Sequence, residues 1–310
     1  MRLVIALGGN AMTGADGSAR PEEQRAAVIA AVEAVADLVA AGHEVVLTHG
    51  NGPQVGNVLL KNELAAHAVP PVPLDWCGAQ TQATIGMLVL NAADDAFTAR
   101  GLSVRTAALV SRTLVDVDDP GFTRPTKPIG RYASAEEAAR MVEHGQHWKE
   151  VTGRGWRRVV ASPEPLECLD IAAVEVMAAA GYVVVCSGGG GIPTVRTDEG
   201  YVGVEAVIDK DLSAAILADQ VKADALVIAT DVEAAVVGWG TPHARPLGET
   251  TATQMRELAA EGHFAAGSMG PKVEAVTRFA ERTGRTGVIT ALASIEDAVH
   301  GRAGTRVVPS

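Results

Sequence analysis

Only six lysines stand against 20 arginines in this chain of 310 residues, and three of the six sit in motifs built from Gly, Pro or Asp. They are Lys127 in "PTKPIG", Lys210 in "IDKD" and Lys272 in "GSMGPK". A chain that meets most of its need for positive charge with Arg keeps Lys where a compact charge on a flexible stem matters. Lys210 lies between Asp209 and Asp211, so neighbouring carboxylates hold it charged and fixed. Such ammoniums suit a transferring phosphoryl group, whose catalysis needs positioning and positive charge more than covalent help. Asp209 and Asp211 would orient lysines or hold a metal-bound nucleotide. The plainer reading of "VIDKDLS" is the start of a helix capped by Asp211 or Ser213.

Around these lysines, three glycine loops each follow a strand-like run: "LGGN" (7–10), "HGNGPQ" (49–54) and "SGGGG" (187–191). Glycine lets backbone N–H groups approach an anion closely. One such loop is most simply a tight turn; three, with lysines in similar settings, point to phosphate handling. In "GSMGPKVEA" the spacing predicts Pro271 at the first position of a helix with Lys272 next. A lysine in a first helical turn opposes the helix dipole unless an anion is bound there.

Several chemistries are excluded. GxxxxGK[ST] is absent. "GNGPQVG" misses the dinucleotide pattern by one residue and lacks its acidic partner about 20 positions on, so a nicotinamide oxidoreductase fits poorly. Neither GxSxG nor HExxH occurs. His144 and His147 form an i, i+3 pair with no second cluster, and Cys77, Cys168 and Cys186 fit neither a zinc site nor a disulfide framework. Any metal is expected to be Mg²⁺ carried by a nucleotide. The net charge of −11 argues against nucleic acid and anionic membranes as partners. The start of the chain reads as a strand rather than a signal peptide, and no apolar run approaches the roughly 18 residues of a membrane span. A cytoplasmic protein is expected.

The elements that must position these residues alternate. Strands are expected at "RLVIAL", "HEVVLTHG", "LSVRTAALV", "RTLVDV", "YVVVCS", "ALVIAT", "AAVV" and "TGVIT". Helices are expected from Pro21 to Gly42, to about Ala66, and over 75–99, 169–180, 210–220, 251–260 and 271–282. The segment before Asp209 is read as a strand. Residues 117–160, with little pattern outside 134–144, read as an inserted flap. The βαβα order implies a mostly parallel sheet with helices on both faces and ligands at the strands' carboxyl ends. With hydrophobic residues at 47% and aromatics at 4%, the core must be mainly Ala, Val, Leu and Ile.

The motifs "ALGGNA", "HGNGPQVGN", "PTKPIG", "GRGWRRVVASPEP", "SGGGGIP", "GVEAVIDKDL" and "GHFAAGSMGPKVEA" closely resemble those of the carbamate kinases, in the same order, from residue 3 to about 290. That group lies within the amino acid kinase family. The resemblance implies a three-layer αβα sandwich around a mainly parallel sheet, with a small inserted flap, built as a homodimer. It implies residues 1–205 for carbamate or carbamoyl phosphate and 206–310 for the nucleotide. The implied reaction is ATP + carbamate = ADP + carbamoyl phosphate with Mg²⁺, running towards ATP in arginine breakdown.

Carried onto this sequence, Gly8, Gly9, Asn10, Gly50, Asn51 and Gly52 would line the acceptor site. Lys127 and Lys210 would contact the transferring group, Lys272 the nucleotide phosphates, and Asp211 would organise the lysines. Asp209, Thr230, Asp231, Met269 and Gly270 would lie by the nucleotide. Many amino acid kinases carry Lys where this chain has Ala6; the resemblance implies that Lys127 supplies that charge from the flap. Arg131 departs from the Pro expected after "PTKPIG". Two other readings remain open at this stage: a kinase of another small acid, and a non-catalytic nucleotide sensor.

Overall fold

The computed structural model describes residues 1–12, 20–265 and 267–310, with the side chains of residues 10 and 11 outside that description. Its centre is an eight-stranded sheet of β1 (Arg2–Leu7), β2 (Glu44–His49), β3 (Arg105–Ala108), β9 (Tyr182–Val185), β12 (Ala225–Thr230), β15 (Glu249–Thr251), β16 (Thr286–Ala291) and β17 (Thr305–Val308). The order is β15-β17-β16-β12-β1-β2-β9-β3, and only the β16–β17 pair is antiparallel.

The strand sequences explain this burial. Leu3, Ile5 and Leu7 of β1 join one core, whereas Val4 and Ala6 join the other. Apolar residues on both faces are what a parallel sheet covered twice requires. On the first face lie α1 (Pro21–Ala40) and α3 (Leu74–Ala99), with the short α9 (Ile295–Val299). Val28, Ala31, Val32, Val35 and Val39 form the buried stripe of α1 at helical spacing. On the second face lie α5 (Ile171–Ala179), α6 (Lys210–Gln220), α7 (Ala252–Ala260) and α8 (Met269–Thr283). This is the expected three-layer architecture.

A smaller sheet of β4 (Arg112–Leu114), β8 (Glu167–Cys168), β10 (Ile192–Thr197) and β11 (Gly200–Gly203) stands beside it, and β13 (Val236–Val237) pairs with β14 (Arg245–Pro246). The inserted segment holds more regular structure than its sequence pattern predicted. The strands β5 (Lys127–Ala133), β6 (His147–Val151) and β7 (Gly155–Val160) form an antiparallel sheet carrying α4 (Ala135–Glu143). These strands are mostly polar and half-exposed, so they lack the apolar alternation that marks a strand in sequence. This flap packs onto α2 (Gly52–Ala65). Ile129 is buried with Val55, Leu74 and Cys77, and Glu63 of α2 receives Arg158 at 2.8 Å and Gln146 at 3.1 Å. A Cβ on Gly56 would stand 2.6 Å from the Gly130 Cα, so only glycine allows this approach.

Three local expectations are corrected. The helix after "GSMG" begins at Met269, so Pro271 is its third residue rather than its first. Its two preceding turns are closed by Ser268 and Gly270 N–H groups on the Ala265 carbonyl, which starts the helix early. Residues 206–209 are not a strand; they run as a loop without a ladder partner, although Val207 N–H reaches the Ala161 carbonyl. The cap of α6 is Asp209 rather than Asp211 or Ser213: its Oδ1 accepts from Asp211 N (2.9 Å) and Leu212 N (3.4 Å).

Candidate active site

The strands β12, β1, β2 and β9 are neighbours in the sheet, and each ends in one of the singled-out segments. Gly8 and Gly9 follow β1, Gly50 to Gly52 follow β2, the loop of residues 187–191 follows β9, and Thr230 closes β12. Together they rim a cavity of about 330 Å³ at the carboxyl edge of the sheet. Lys127 enters from the flap, and Lys210 and Lys272 enter from the first turns of α6 and α8.

Two aspartates hold the three lysines. Lys127 Nζ donates to Asp209 Oδ2 at 2.7 Å. Asp211 receives Lys210 on Oδ1 and Lys272 on Oδ2, the latter at 3.0 Å. Asp209 therefore spends one oxygen capping α6 and the other on the flap lysine. Burial alone would push the Asp211 carboxyl up. The two ammoniums outweigh that and hold it at about 2. Burial pushes Lys210 below the ordinary lysine value; Asp211 opposes this shift and Lys272 adds to it. Lys210 and Lys272 are each 13% exposed, so their charges are screened little by water. The result is a concentrated positive site on an acidic body.

The backbone adds donors. Gly52 opens α2, and the first N–H groups of a helix have no partner within it. The loop after β9 holds Ser187, Gly189, Gly190 and Gly191 at positive φ, between 52° and 95°. The three glycines adopt these angles freely, whereas Ser187 must be held there by its surroundings. Beside the loop, Asn51 Nδ2 donates to Thr81 Oγ1 at 2.8 Å. Burial depresses the His49 imidazole to about 4, opposed by its Nδ1–H bond to the Gly50 carbonyl and reinforced by Lys210. His49 is therefore neutral at pH 7. Cys168 and Cys186 lie under the loop with sulfurs 3.7 Å apart, and all three cysteines are free and buried.

A second cavity of about 230 Å³ adjoins the first and shares Thr230, Asp231, Ser268 and Lys272 with it. Its remaining wall is mostly apolar: Val232, Ala234, Val236, Trp239, Ala265 and Met269, with His263. Trp239 is 71% exposed and stands at its edge. A cationic end leading into an apolar pocket can seat a molecule that joins phosphates to a planar base.

Of the residues singled out in sequence, Gly8, Gly9, Gly50, Asn51, Gly52, Lys127, Asp209, Lys210, Asp211, Thr230, Asp231 and Lys272 all line the first cavity. Met269 lines the second and not the first, and Gly270 lines neither. The side chain of Asn10 lies outside the described residues. The loop "SGGGG" was singled out as a whole and brings Gly189 into the first cavity; the sequence reading missed Ile129 and Ile208 there and the Trp239–His263 wall of the second. An exposed Trp on a loop carries no local signal.

Comparison with known proteins follows the same lines. The profile of the amino acid kinase family matches residues 1–291. The carbamate kinase of Pyrococcus furiosus is 42% identical over 311 residues, covering 99% of both chains. The carbamate kinase-like protein YqeA of Escherichia coli is 42% identical over 308 residues and 98% of both. The solved structure of carbamate kinase from Giardia lamblia bound to AMP-PNP superposes with a TM-score of 0.93 at 42% identity, covering 100% of this chain and 98% of that one. By sequence and fold, the chain belongs to the amino acid kinase family.

Proposed function

We propose that this protein is a phosphotransferase acting as a carbamate kinase: ATP + carbamate ⇌ ADP + carbamoyl phosphate. The observation that carries the reading is the convergence of Lys127, Lys210 and Lys272 on one cavity, each tied to Asp209 or Asp211. A carbamate oxygen attacks the γ-phosphorus in line, and the bond to the bridging oxygen of ADP breaks. Charge on the transferring group falls on Lys210 and Lys127, while Lys272 meets the nucleotide phosphates. Gly8, Gly9, Asn10, Gly50, Asn51 and Gly52 hold the acceptor. Thr230, Asp231, Asp209, Met269 and Gly270 lie by the nucleotide, whose base and ribose occupy the Trp239 cavity.

This division supports an acceptor-binding part at 1–205 and a nucleotide-binding part at 206–310. Both aspartates at the centre are engaged by lysines, so their chemistry suits no resident metal; Mg²⁺ arrives on the nucleotide phosphates. When bound there it neutralises phosphate charge. The reaction runs towards ATP in arginine catabolism, in the cytoplasm, where three free, buried thiols stay reduced. The protein works as a homodimer joined through α3, which exposes Trp76 and Met87 along one face.

The test is ATP formation from ADP, Mg²⁺ and carbamoyl phosphate, with wild type beside Lys210→Ala. We expect rapid ATP formation that falls by at least about 100-fold in the variant, with the melting temperature little changed. Folded wild type that makes no ATP overturns the reading, and acetyl phosphate and other acyl phosphates are then tried as donors.

A further inference from the structure

Gln82 sits in the middle of α3, 4% exposed, and spends its whole carboxamide on the segment behind the cavity. Its Nε2 donates to the Gly188 carbonyl at 2.9 Å and to the Ser111 carbonyl at 3.1 Å. Its Oε1 accepts from Ser111 N at 2.8 Å. Ser111 in turn accepts the Ser187 N–H on its Oγ at 2.7 Å. Thr48 Oγ1 donates to the Ser187 carbonyl, and Thr113 and Ser213 hydroxyls both donate to the Gly190 carbonyl. The loop of residues 187–191 is thus held from β2, α3, β4 and α6, which is what keeps Ser187 in the left-handed region.

The loop's own donors are divided. Ser187, Gly190 and Gly191 N–H groups are satisfied by Ser111 Oγ, the Ser187 carbonyl and the Gly188 carbonyl. The Gly188 and Gly189 N–H groups have no acceptor among the described residues, although both glycines are buried. Gly189 lines the catalytic cavity beside Asn51, whose side chain fills the place a Cβ on Gly189 would need. A buried N–H without an acceptor is costly unless a ligand satisfies it.

We propose that Gln82 is a positioning residue for this reaction: it fixes the Gly188–Gly189 turn so that the free Gly189 amide, at the cavity wall, receives an oxygen of the carbamoyl group. The proposal rests on the phosphoryl-transfer reading above and extends it to the acceptor end. It predicts a loss confined to the acceptor side, because Gln82 touches nothing in the nucleotide cavity.

The experiment is steady-state ATP formation from carbamoyl phosphate and ADP, with thermal melts, for wild type, Gln82→Leu and Gln82→Glu. For Gln82→Leu we expect kcat/KM for carbamoyl phosphate to fall about 100-fold, the effect of a donor misplaced by about 1 Å. KM for ADP should stay within about twofold of wild type. Gln82→Glu keeps the acceptor for Ser111 N and loses the donor to Gly188. Burial raises a carboxyl's pKa, and its protonated form restores one donor. Its activity relative to wild type should therefore recover as pH is lowered from 8 to about 6. This second variant decides the matter if Gln82→Leu does not fold. A Gln82→Leu enzyme with lower melting temperature but unchanged kcat/KM overturns the proposal, as does an equal loss on the ADP side or a Gln82→Glu activity ratio flat with pH. Wild type that makes no ATP overturns the phosphoryl-transfer reading itself, an outcome read without any variant.

Discussion

At the scale of single residues, the site is a balance of burial and charge that pH can probe. His49 is held neutral, its imidazole depressed from 6.5 to about 4, chiefly by burial. The unfolded chain takes up that proton as pH falls below about 6.5, whereas the folded chain does not until about 4. Stability from this group is therefore full above pH 6.5 and is lost on acidification through that window, on the order of 3 kcal/mol. Asp211 acts lower down. Its carboxyl is depressed to about 2, so its contribution is present above the unfolded value of 3.8 and disappears as pH falls towards 2. We expect urea-unfolding free energy to decline between pH 6.5 and 4.5, and His49→Asn to flatten that slope. Equal slopes in the two proteins would refute the assignment. Asp211 also explains why two lysines can share one small site: without its carboxylate, Lys210 and Lys272 would repel each other in a poorly screened setting.

At the scale of elements, the flap and α2 form the joint that delivers Lys127. Glycine faces glycine there, with the backbone of Gly130 2.6 Å from where a Gly56 Cβ would be. Neither partner is a flexible side chain end that could give way. Gly56→Ala should therefore lift the flap or strain α2, costing about 1–3 kcal/mol of stability. It should raise KM for carbamoyl phosphate while leaving KM for ADP unchanged, because the cavity proposed for the base and ribose is lined by residues after 229. Melting curves and two-substrate kinetics check this; an unchanged acceptor KM would mean that the flap does not need this contact. Arg131, the one departure in the flap motif, pairs with Glu137 at the start of α4, which gives it a structural partner within the flap.

At the scale of the whole molecule, a chain of net charge −11 gathers three ammoniums at one sheet edge and leaves an apolar stripe on another face. Trp76 and Met87 of α3 are 60% and 50% exposed, and Tyr201 of the β10–β11 hairpin lies beside Trp76. Such a patch favours self-association, and the interior of α3 carries Gln82 to the loop of residues 187–191. Sedimentation should give twice the 31.9 kDa of one chain, and Trp76→Asp should shift the protein towards monomer. A wild type that sediments as monomer at micromolar concentration would refute the dimer.

Much of this was legible in the residues themselves. "RLVIAL", "YVVVC" and "ALVIAT" read as strands because parallel strands buried on both faces are continuous apolar runs, and the spacing of Val28, Val32, Val35 and Val39 read as one helix face. Lys127, Lys210 and Lys272 stood out because lysine is scarce here and local motifs enclose them. The flap strands were not legible, because polar, half-exposed strands lack an apolar period. That Asp209 and Asp211 orient lysines was readable, but which lysine each takes was not: Lys127 and Asp209 are 82 residues apart, and Lys272 and Asp211 are 61 apart. Sequence neighbours suggested that Asp209 and Asp211 both flank Lys210. The fold instead gives Asp209 to the flap and the cap of α6, and Asp211 to two lysines at once. Gln82 carried no local signal at all, since its partners lie 29 and 106 residues away. Local chemistry and periodicity are written in consecutive residues, so the sequence determined the apolar strands, the main helices and the reactive residue types. Which charge meets which, and which amides are left free, depends on strand order across the sheet, and only the tertiary structure decided that.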